Sequence, residues 1–230
     1  EDKFSGPRPA WEKVGVTFTD DVAAFENAKL RILNGTHSTL AYTGILLGKE
    51  TVYEAISDSA LEAFIRRLLS DEIIPSINAE GVMDLAAYAE DILNRYKNRH
   101  IRHLLAQIAW DGSQKLPQRL LATIAARLEA GQGIDALSLA VAAWIRWQAG
   151  RDDHGLAHQV DDPLAPQIAM ALAGADSAAA RVDAMLRFEA VVPAALAGQG
   201  AFRDALTGWL EVLEARGALA ALTDLAEGRF

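Results

Sequence analysis

The feature that most constrains the fold is the recurrence of apolar residues at helical spacing along nearly the whole chain. One long segment runs from near Thr19 to Gly48, and the others cover about residues 58–69, 84–97, 100–110, 116–130, 134–149, 163–174, 176–187 and 200–229. A period of about 3.6 residues is typical of amphipathic helices, and the sequence contains neither a series of alternating strands nor an internal repeat. The pattern predicts one mainly α, multi-helical domain.

Glycine and proline separate these segments. Gly131, Gly150 and Gly217 each follow a helical run, as helix C-caps do, and the last helix is expected to break near Gly217. Pro117 lies where the first residue of a helix is expected. Thr19 or Asp20 is a plausible N-cap for the long first helix.

The first 18 residues differ from the rest of the chain. They contain two prolines and then a short apolar run, Val14–Phe18, which is expected to form a brief strand. Residues 1–18 are therefore predicted to be a linker and residues 19–230 the all-α domain. Because the chain opens on Glu1 and not on methionine, we expect it to be a segment of a larger protein.

Composition excludes some partners. The net charge is −9, with acidic and basic residues mixed along the chain, which argues against nucleic acid as a partner but not against a small anionic substrate. No apolar run reaches the roughly 18 residues of a membrane span, so no membrane partner is expected. The chain has no cysteine and no signal peptide, and a cytoplasmic location is expected.

Three chemically useful side chains lie in the stretch at residues 29–38. Lys29, Asn34 and His37 are spaced i, i+5 and i+8, which places them at roughly 0°, 140° and 80° on an α-helix, on one side. An amine, an amide and an imidazole there could take a proton and hold an oxygen anion, although a long helix also carries polar residues by chance. Gly35 suggests the close approach of another chain or a ligand.

A second polar stretch, residues 111–119, is expected to form a tight turn between two apolar helices and could project Lys115 towards a site at the end of its helix. The run K-L-R-x-L-N-G-x-H-S at 29–38 and the run D-G-S-Q-K-L-P-Q-R at 111–119 resemble signature stretches of the polyol-specific long-chain dehydrogenases, the family of mannitol 2-dehydrogenase and fructuronate reductase (D-mannonate oxidoreductase). Further similar motifs are Ala87-Tyr88-Ala89, Arg95-Tyr96-Lys97-Asn98 and Asp162-Pro163-Leu164.

The resemblance covers nearly the whole chain but only the C-terminal, substrate-binding domain of that two-domain family. It implies an NAD-dependent oxidoreductase that interconverts a secondary alcohol of a sugar acid or sugar alcohol and its ketose. NAD is expected to be bound mainly by an N-terminal Rossmann domain of the same protein, which this chain lacks.

The resemblance also implies residue roles. Lys29 matches the general base, Asn34 and His37 match the residues that hydrogen-bond the reacting oxygen, and Lys115 matches a second substrate-site lysine. At Gln107, mannitol 2-dehydrogenases carry an arginine that contacts the polyol, whereas fructuronate reductase-like members are similar to this chain. D-mannonate/D-fructuronate is therefore the favoured substrate pair, and mannitol/fructose is the alternative.

A carboxylated substrate needs cations. Arg102, His103 and Arg119 could serve its carboxylate, although each could instead be a solvated surface cation.

Other patterns have structural interpretations. Gly131-Gln132-Gly133 superficially fits a dinucleotide fingerprint, but it follows a helix, so no cofactor-binding residue is expected. His154 and His158 lie in an acidic, glycine-containing loop, and no metal site is expected there. Trp110, Trp144 and Trp147 are expected in the core.

A non-enzymatic α-helical binding module is the alternative of another class. The two interpretations differ in one structural respect. A dehydrogenase domain should leave an apolar face where its partner domain docks, whereas a self-contained module should not.

Overall fold

The computed structural model describes residues 4–79 and 81–229, and it confirms a mainly α, multi-helical architecture. Of the predicted linker at residues 1–18, residues 1–3 lie outside the described part. The α-helices are α1 (Val22–Ala28), α2 (Thr36–Leu46), α3 (Val52–Ser57), α4 (Ser59–Arg67), α5 (Leu85–Tyr96), α6 (Leu105–Ala109), α7 (Gly112–Leu116), α8 (Ala122–Glu129), α9 (Asp135–Trp147), α10 (Ala165–Ala173), α11 (Ala178–Leu186), α12 (Ala194–Ala197) and α13 (Gly200–Glu227).

Three π-helices and two 3₁₀-helices complete these elements. The π-helices are π1 (Lys29–Gly35), π2 (Leu68–Ile73) and π3 (Pro117–Leu121), and the 3₁₀-helices are Trp11–Val14 and Ile74–Ser76. Extended pairing within the described residues consists of two isolated bridges, Thr51 with Leu104 and Arg151 with Ala157. In the same part of the chain, no helix combines the length and the apolar character needed to cross a membrane.

Helix α9 forms the centre of the domain. From Ala136 to Ile145 every residue is buried, as expected for a helix that is apolar on all sides, and α13 and α2 pack along it. Trp144 and Trp147 are buried in this core, as predicted. Trp110 is not, because 46% of its surface is exposed, so its placement in the core was wrong.

The long first helix is confirmed as an unbroken helical run made of α1, π1 and α2. Its N-cap is Asp21, whose side chain accepts a hydrogen bond from the Ala24 amide at 3.0 Å, and not Thr19 or Asp20. Thr19 instead accepts from the Asp21 amide through its hydroxyl oxygen. The run thus begins where a carboxylate satisfies a free helical N–H.

Two predicted elements near the start of the chain and in its middle differ from the structure. The Val14–Phe18 strand was wrong, because Trp11–Val14 forms a 3₁₀-helix that ends at Gly15 with a φ of 88°. The helix predicted over 100–110 is reduced to α6, because residues 99–103 form turns and irregular structure and Leu104 is extended. The backbone carbonyl of His103 accepts a hydrogen bond from the Val52 amide, and Leu104 forms a β-bridge with Thr51.

The position of Pro117 also differs from the prediction. The helix starts at Gly112, after Asp111 in the left-handed region with a φ of 55°, so Pro117 is not its first residue. Proline has no N–H to donate to the preceding turn and its ring crowds that turn. The run continues past it as π3, with a wider turn.

The break in the last helix lies at Gly217, as predicted. Gly217 has a φ of 80°, and the next amide, that of Ala218, donates to the Asp153 carboxylate at 2.6 Å. This bond ties α13 to the loop that joins α9 to α10.

Candidate active site

The stretch at residues 29–38 begins with π1, which carries Lys29 and Asn34. In a π-helix residue i bonds to residue i+5, so Lys29 and Asn34, five residues apart, lie closer to one face than an α-helical wheel places them. Lys29 is exposed and Asn34 is half-buried. Among the described residues, neither side chain has a hydrogen-bond or ion-pair partner, so both can meet a ligand.

Gly35 brings π1 against π3. A Cβ atom added at Gly35 would lie 3.0 Å from the backbone oxygen of Arg119 and 3.6 Å from a methyl carbon of Leu120. The close approach predicted at this glycine is therefore made by a helix of the same domain. It places the two functional stretches of the sequence side by side.

His37, in the first turn of α2, has a mainly aromatic environment. Its ring stacks on Tyr96 with centroids 4.7 Å apart and meets the edge of His103 at 5.3 Å. Burial, followed by the charges of His103, Arg119 and Arg95, lowers the pKa of His37 to about 4. At neutral pH His37 is thus an uncharged imidazole with one N–H donor and one acceptor nitrogen.

Tyr96 is itself held by π1 and α2. Its hydroxyl donates to the Leu33 carbonyl at 2.9 Å and lies 2.8 Å from the Thr36 hydroxyl. Burial is the main cause of a raised Tyr96 pKa. The ring on which His37 stacks is therefore fixed to the same helical run that carries His37.

Arg119, on π3, is half-buried beside His37. Its Nη1 donates to the Ser38 hydroxyl at 3.0 Å, and its Nε is buried without a partner. Burial lowers its pKa. Within the described residues no carboxylate forms an ion pair with it, which is costly for a half-buried charge and leaves N–H donors for an anion.

Lys115, on α7, is also half-buried, and its Nζ donates to the Trp110 carbonyl. Burial and the charge of Arg119 lower its pKa, whereas the charges of Asp111 and Asp162 oppose that effect. The charge of Arg119 thus acts on both His37 and Lys115. These two cations and the neutral imidazole are here named the His37–Lys115–Arg119 cluster.

Comparison with known proteins identifies the domain. Residues 21–210 match the mannitol dehydrogenase C-terminal domain family. The chain belongs to this family. It is 40% identical to D-mannonate oxidoreductase of Escherichia coli over 221 residues, covering 95% of the chain and 45% of that protein. It is 34% identical to mannitol 2-dehydrogenase of Pyrenophora tritici-repentis, covering 98% of the chain and 39% of that protein.

A solved structure agrees with the family. The chain superposes on Pseudomonas fluorescens mannitol 2-dehydrogenase, a ternary complex with NAD and D-mannitol, with a TM-score of 0.89 and 31% identity. The match covers 99% of this chain and 46% of that one. This mannitol dehydrogenase C-terminal domain therefore spans about half the length of the relatives it matches.

The structure brings some predicted site residues together and leaves others apart. His37, Lys115 and Arg119 form the cluster, and Lys29 and Asn34 lie on the helix packed against π3. Gln107 is on an exposed part of α6 and makes no hydrogen bond to the other candidates. Of the cations considered for a carboxylate, Arg102 is a surface residue paired with Glu50 at 2.7 Å, its side chain 72% exposed.

Sequence reasoning missed two residues that build this site. Ser38 closes the 29–38 stretch and accepts from Arg119, 81 positions away. Tyr96 lies inside the Arg95–Asn98 motif, but only the fold shows that it stacks on His37. The Arg95–Asn98 motif was the signal in the sequence that could have pointed to Tyr96. The stacking of Tyr96 on His37 has no signature in the local sequence.

The glycine pattern at 131–133 and the two histidines at 154 and 158 have the following surroundings in the described part of the chain. Gly131, with a φ of 67°, follows α8 as a turn residue with no strand before it. His158 stacks on Trp147 at 5.4 Å, while His154 donates its amide to Asp152. Across residues 4–79 and 81–229 no group of three or more His, Cys, Asp or Glu side chains is arranged to hold a metal.

Proposed function

We propose that this domain is the catalytic, substrate-binding part of an NAD-dependent oxidoreductase that interconverts a secondary alcohol and its ketose in a sugar acid or polyol. The favoured pair is D-mannonate and D-fructuronate. The observation that carries the proposal is the half-buried Arg119, whose hydrogen-bond partner among the described residues is the neutral hydroxyl of Ser38, next to His37 in the chain. Its charge acts on both His37 and Lys115. The similarity to D-mannonate oxidoreductase supports the same substrate class.

The proposed chemistry assigns a step to each group. In the oxidation, Lys29 in its amine form takes the proton of the reacting hydroxyl, as a general base must. The Asn34 amide and the uncharged His37 donate N–H hydrogen bonds to the same oxygen as it acquires alkoxide character. A neutral imidazole is suited to this because it keeps one donor through the physiological pH range.

The hydride acceptor is assigned to another part of the protein. The described residues contain no strand–turn–helix unit of the kind that binds a dinucleotide. The relatives are more than twice as long as this chain, and we propose that an N-terminal Rossmann domain binds NAD and docks against this one. When bound, NAD would accept the hydride from the carbon that carries the reacting hydroxyl.

Arg119 and Lys115 are proposed to select the substrate. The Arg119 guanidinium would hold the carboxylate of the sugar acid, and Lys115 a neighbouring oxygen, since both are cations with donors to spare. Gln107, which is exposed and uncharged, is proposed to contact the polyol chain. A ketose without a carboxylate would gain much less from Arg119.

The substrate test compares two ketoses that differ in the carboxylate, D-fructuronate and D-fructose, by following NADH absorbance with the full-length protein that contains this chain. We expect D-fructuronate to be reduced with the higher kcat/KM. We expect Arg119→Gln to lower kcat/KM for D-fructuronate by about tenfold to a hundredfold, the range for a lost charged hydrogen bond, and to affect D-fructose less.

Arg102→Gln is the matched control, because Arg102 is exposed and paired on the surface. It should leave both substrates unchanged within about twofold. A preference for D-fructose would contradict the sugar-acid assignment and favour the mannitol/fructose alternative. A folded protein that binds neither NADH nor any ketose would favour a non-enzymatic binding module.

A further inference from the structure

The carboxylate of Asp162 lies behind the turn that carries Lys115. We propose that Asp162 is a positioning residue. Its carboxylate fixes the single helical turn made of Asp111 and α7, here named the 111–116 turn, and so holds Lys115 in the substrate site. This inference rests on the proposed function of Lys115. It concerns a residue that would not touch the substrate itself.

The contacts of Asp162 are numerous for a buried side chain. Only 7% of the residue is exposed. Its Oδ2 accepts from the Ser113 amide at 2.7 Å, and its Oδ1 accepts from the Ser113 hydroxyl at 2.6 Å. The Leu164 amide also donates to Oδ1, at 2.9 Å. The carboxylate thus links the first turn of α7 to the start of α10.

The turn is also held on its other side. Gly112 lies so close to α2 and α9 that an added Cβ would be 2.4 Å from the Tyr42 hydroxyl and 2.6 Å from the Trp144 indole nitrogen. The Asp111 amide donates to the Asp161 carbonyl at 3.0 Å. Lys115 is attached to this turn, since its amide donates to the Asp111 carbonyl at 3.0 Å.

Asp162 has no cation paired with it among the described residues, and three hydrogen bonds from neutral donors hold its carboxylate. Its charge acts on Lys115, where it opposes the effects of burial and of Arg119. The same carboxylate therefore fixes the position of the lysine and favours its charged form. Asp111 is the other acidic group that acts on this lysine.

The test is a double-mutant cycle in the full-length protein. Asp162→Asn keeps the size of the side chain but turns an N–H donor towards either the Ser113 amide or the Leu164 amide, because these two donors bond to different carboxylate oxygens. We expect it to raise the KM for the ketose about tenfold, with a smaller change in kcat. In a Lys115→Met background the same change should add less than about twofold, because the residue that Asp162 positions is already lost.

Two further variants are measured beside Asp162→Asn. Asp161→Asn removes the same charge one residue earlier, where only the backbone carbonyl contacts the turn, and it should leave the KM unchanged. Ser113→Ala removes only the hydroxyl bond to Asp162 and should raise the KM by a smaller factor. If Asp162→Asn fails to fold, Ser113→Ala takes its place in the double-mutant cycle with Lys115→Met.

A second readout does not depend on turnover. The pH titration of the Lys115 ε-carbon, followed by NMR with ¹³C-labelled lysine, should move to lower pH in Asp162→Asn and stay in place in Asp161→Asn. An additive cycle together with an unmoved titration would overturn the proposal. If the wild type reduced no ketose, the proposed function would fail, and the titration would decide the link between Asp162 and Lys115.

Discussion

At the scale of single residues, the imidazole of His37 lies between the face of Tyr96 and the edge of His103. Besides burial, His103 and the two cations Arg119 and Arg95 act on its pKa, and all three lower it. Burial and these cations disfavour the same protonated form. His37 is therefore suited to donate one hydrogen bond as a neutral group, and unsuited to act as a general acid at neutral pH.

This environment gives a pH prediction. The pKa of His37 is about 4 in the folded chain and about 6.5 for an unfolded chain, so between these values the unfolded state binds more protons. Stability should therefore fall as pH decreases from about 6.5 to about 4, by up to about 3 kcal/mol from this residue. Urea unfolding at pH 7 and pH 5 measures the loss.

The control is His37→Asn, which removes the titrating group. The loss of stability between pH 7 and pH 5 should be smaller in this variant, although His158, whose pKa is also lowered by burial, still contributes. In the wild type, the His37 imidazole signal in NMR should stay that of the neutral ring at pH 6. A signal that titrates near pH 6.5 would contradict this account of the site.

At the scale of elements, the two π-helices π1 and π3 set the geometry of the site. Both stretches that resemble family signatures include one of them, and π-helical turns are frequent at functional sites. Gly35 allows their backbones to meet. The spacing of Lys29, Asn34 and Arg119 therefore depends on a wide helical turn and on one residue without a side chain.

Gly35→Ala tests this packing. The new methyl group would lie 3.0 Å from the backbone oxygen of Arg119, so π1 and π3 must move apart, and we expect a loss of about 1–3 kcal/mol in the free energy of unfolding. Urea unfolding followed by circular dichroism measures it. Gly200→Ala is the matched control, because nothing lies within 4 Å of its added Cβ. Equal stability of the two variants would refute the close contact.

The sequence predicts helices well wherever local periodicity decides them, as in α5, α9 and α13 with its break at Gly217. It fails where a distant segment decides. Helix α6 begins only at Leu105, because His103 and Leu104 pair with residues 52 and 51, some fifty positions earlier, and no pattern within 100–110 contains that information. Pro117 was misplaced because a proline can also be accommodated by a π-helix.

In the candidate site, too, local sequence patterns are informative and contacts between distant segments are not predicted. Lys29, Asn34, His37, Lys115 and Arg119 were predicted as site residues from motifs that resemble a family, and these roles stay predictions. The helical wheel, however, assumed α-helical geometry through a stretch that is π-helical. The contact of Arg119 with Ser38 joins residues 81 positions apart, which makes it a property of packing.

At the scale of the whole molecule, apolar side chains remain uncovered on the segment that leads into α1. Val14 is 80% exposed and Val22 is 64% exposed, and the rings of Trp11 and Phe18 stack on each other with centroids 6.3 Å apart. Uncovered apolar surface of this kind is typical of an interface. It favours a domain that docks against another over a self-contained binding module.

The most direct test of the central claim is the turnover of the full-length protein with Lys29→Ala, measured by NADH absorbance with the ketose that the wild type prefers. If Lys29 is the general base, kcat should fall by about 10²–10⁴-fold, while the fold and NADH binding are kept. Lys49→Ala, which removes a lysine paired with Asp58 at 3.0 Å, should retain wild-type turnover. A Lys29→Ala protein as active as Lys49→Ala would contradict the assignment of this domain as the catalytic one.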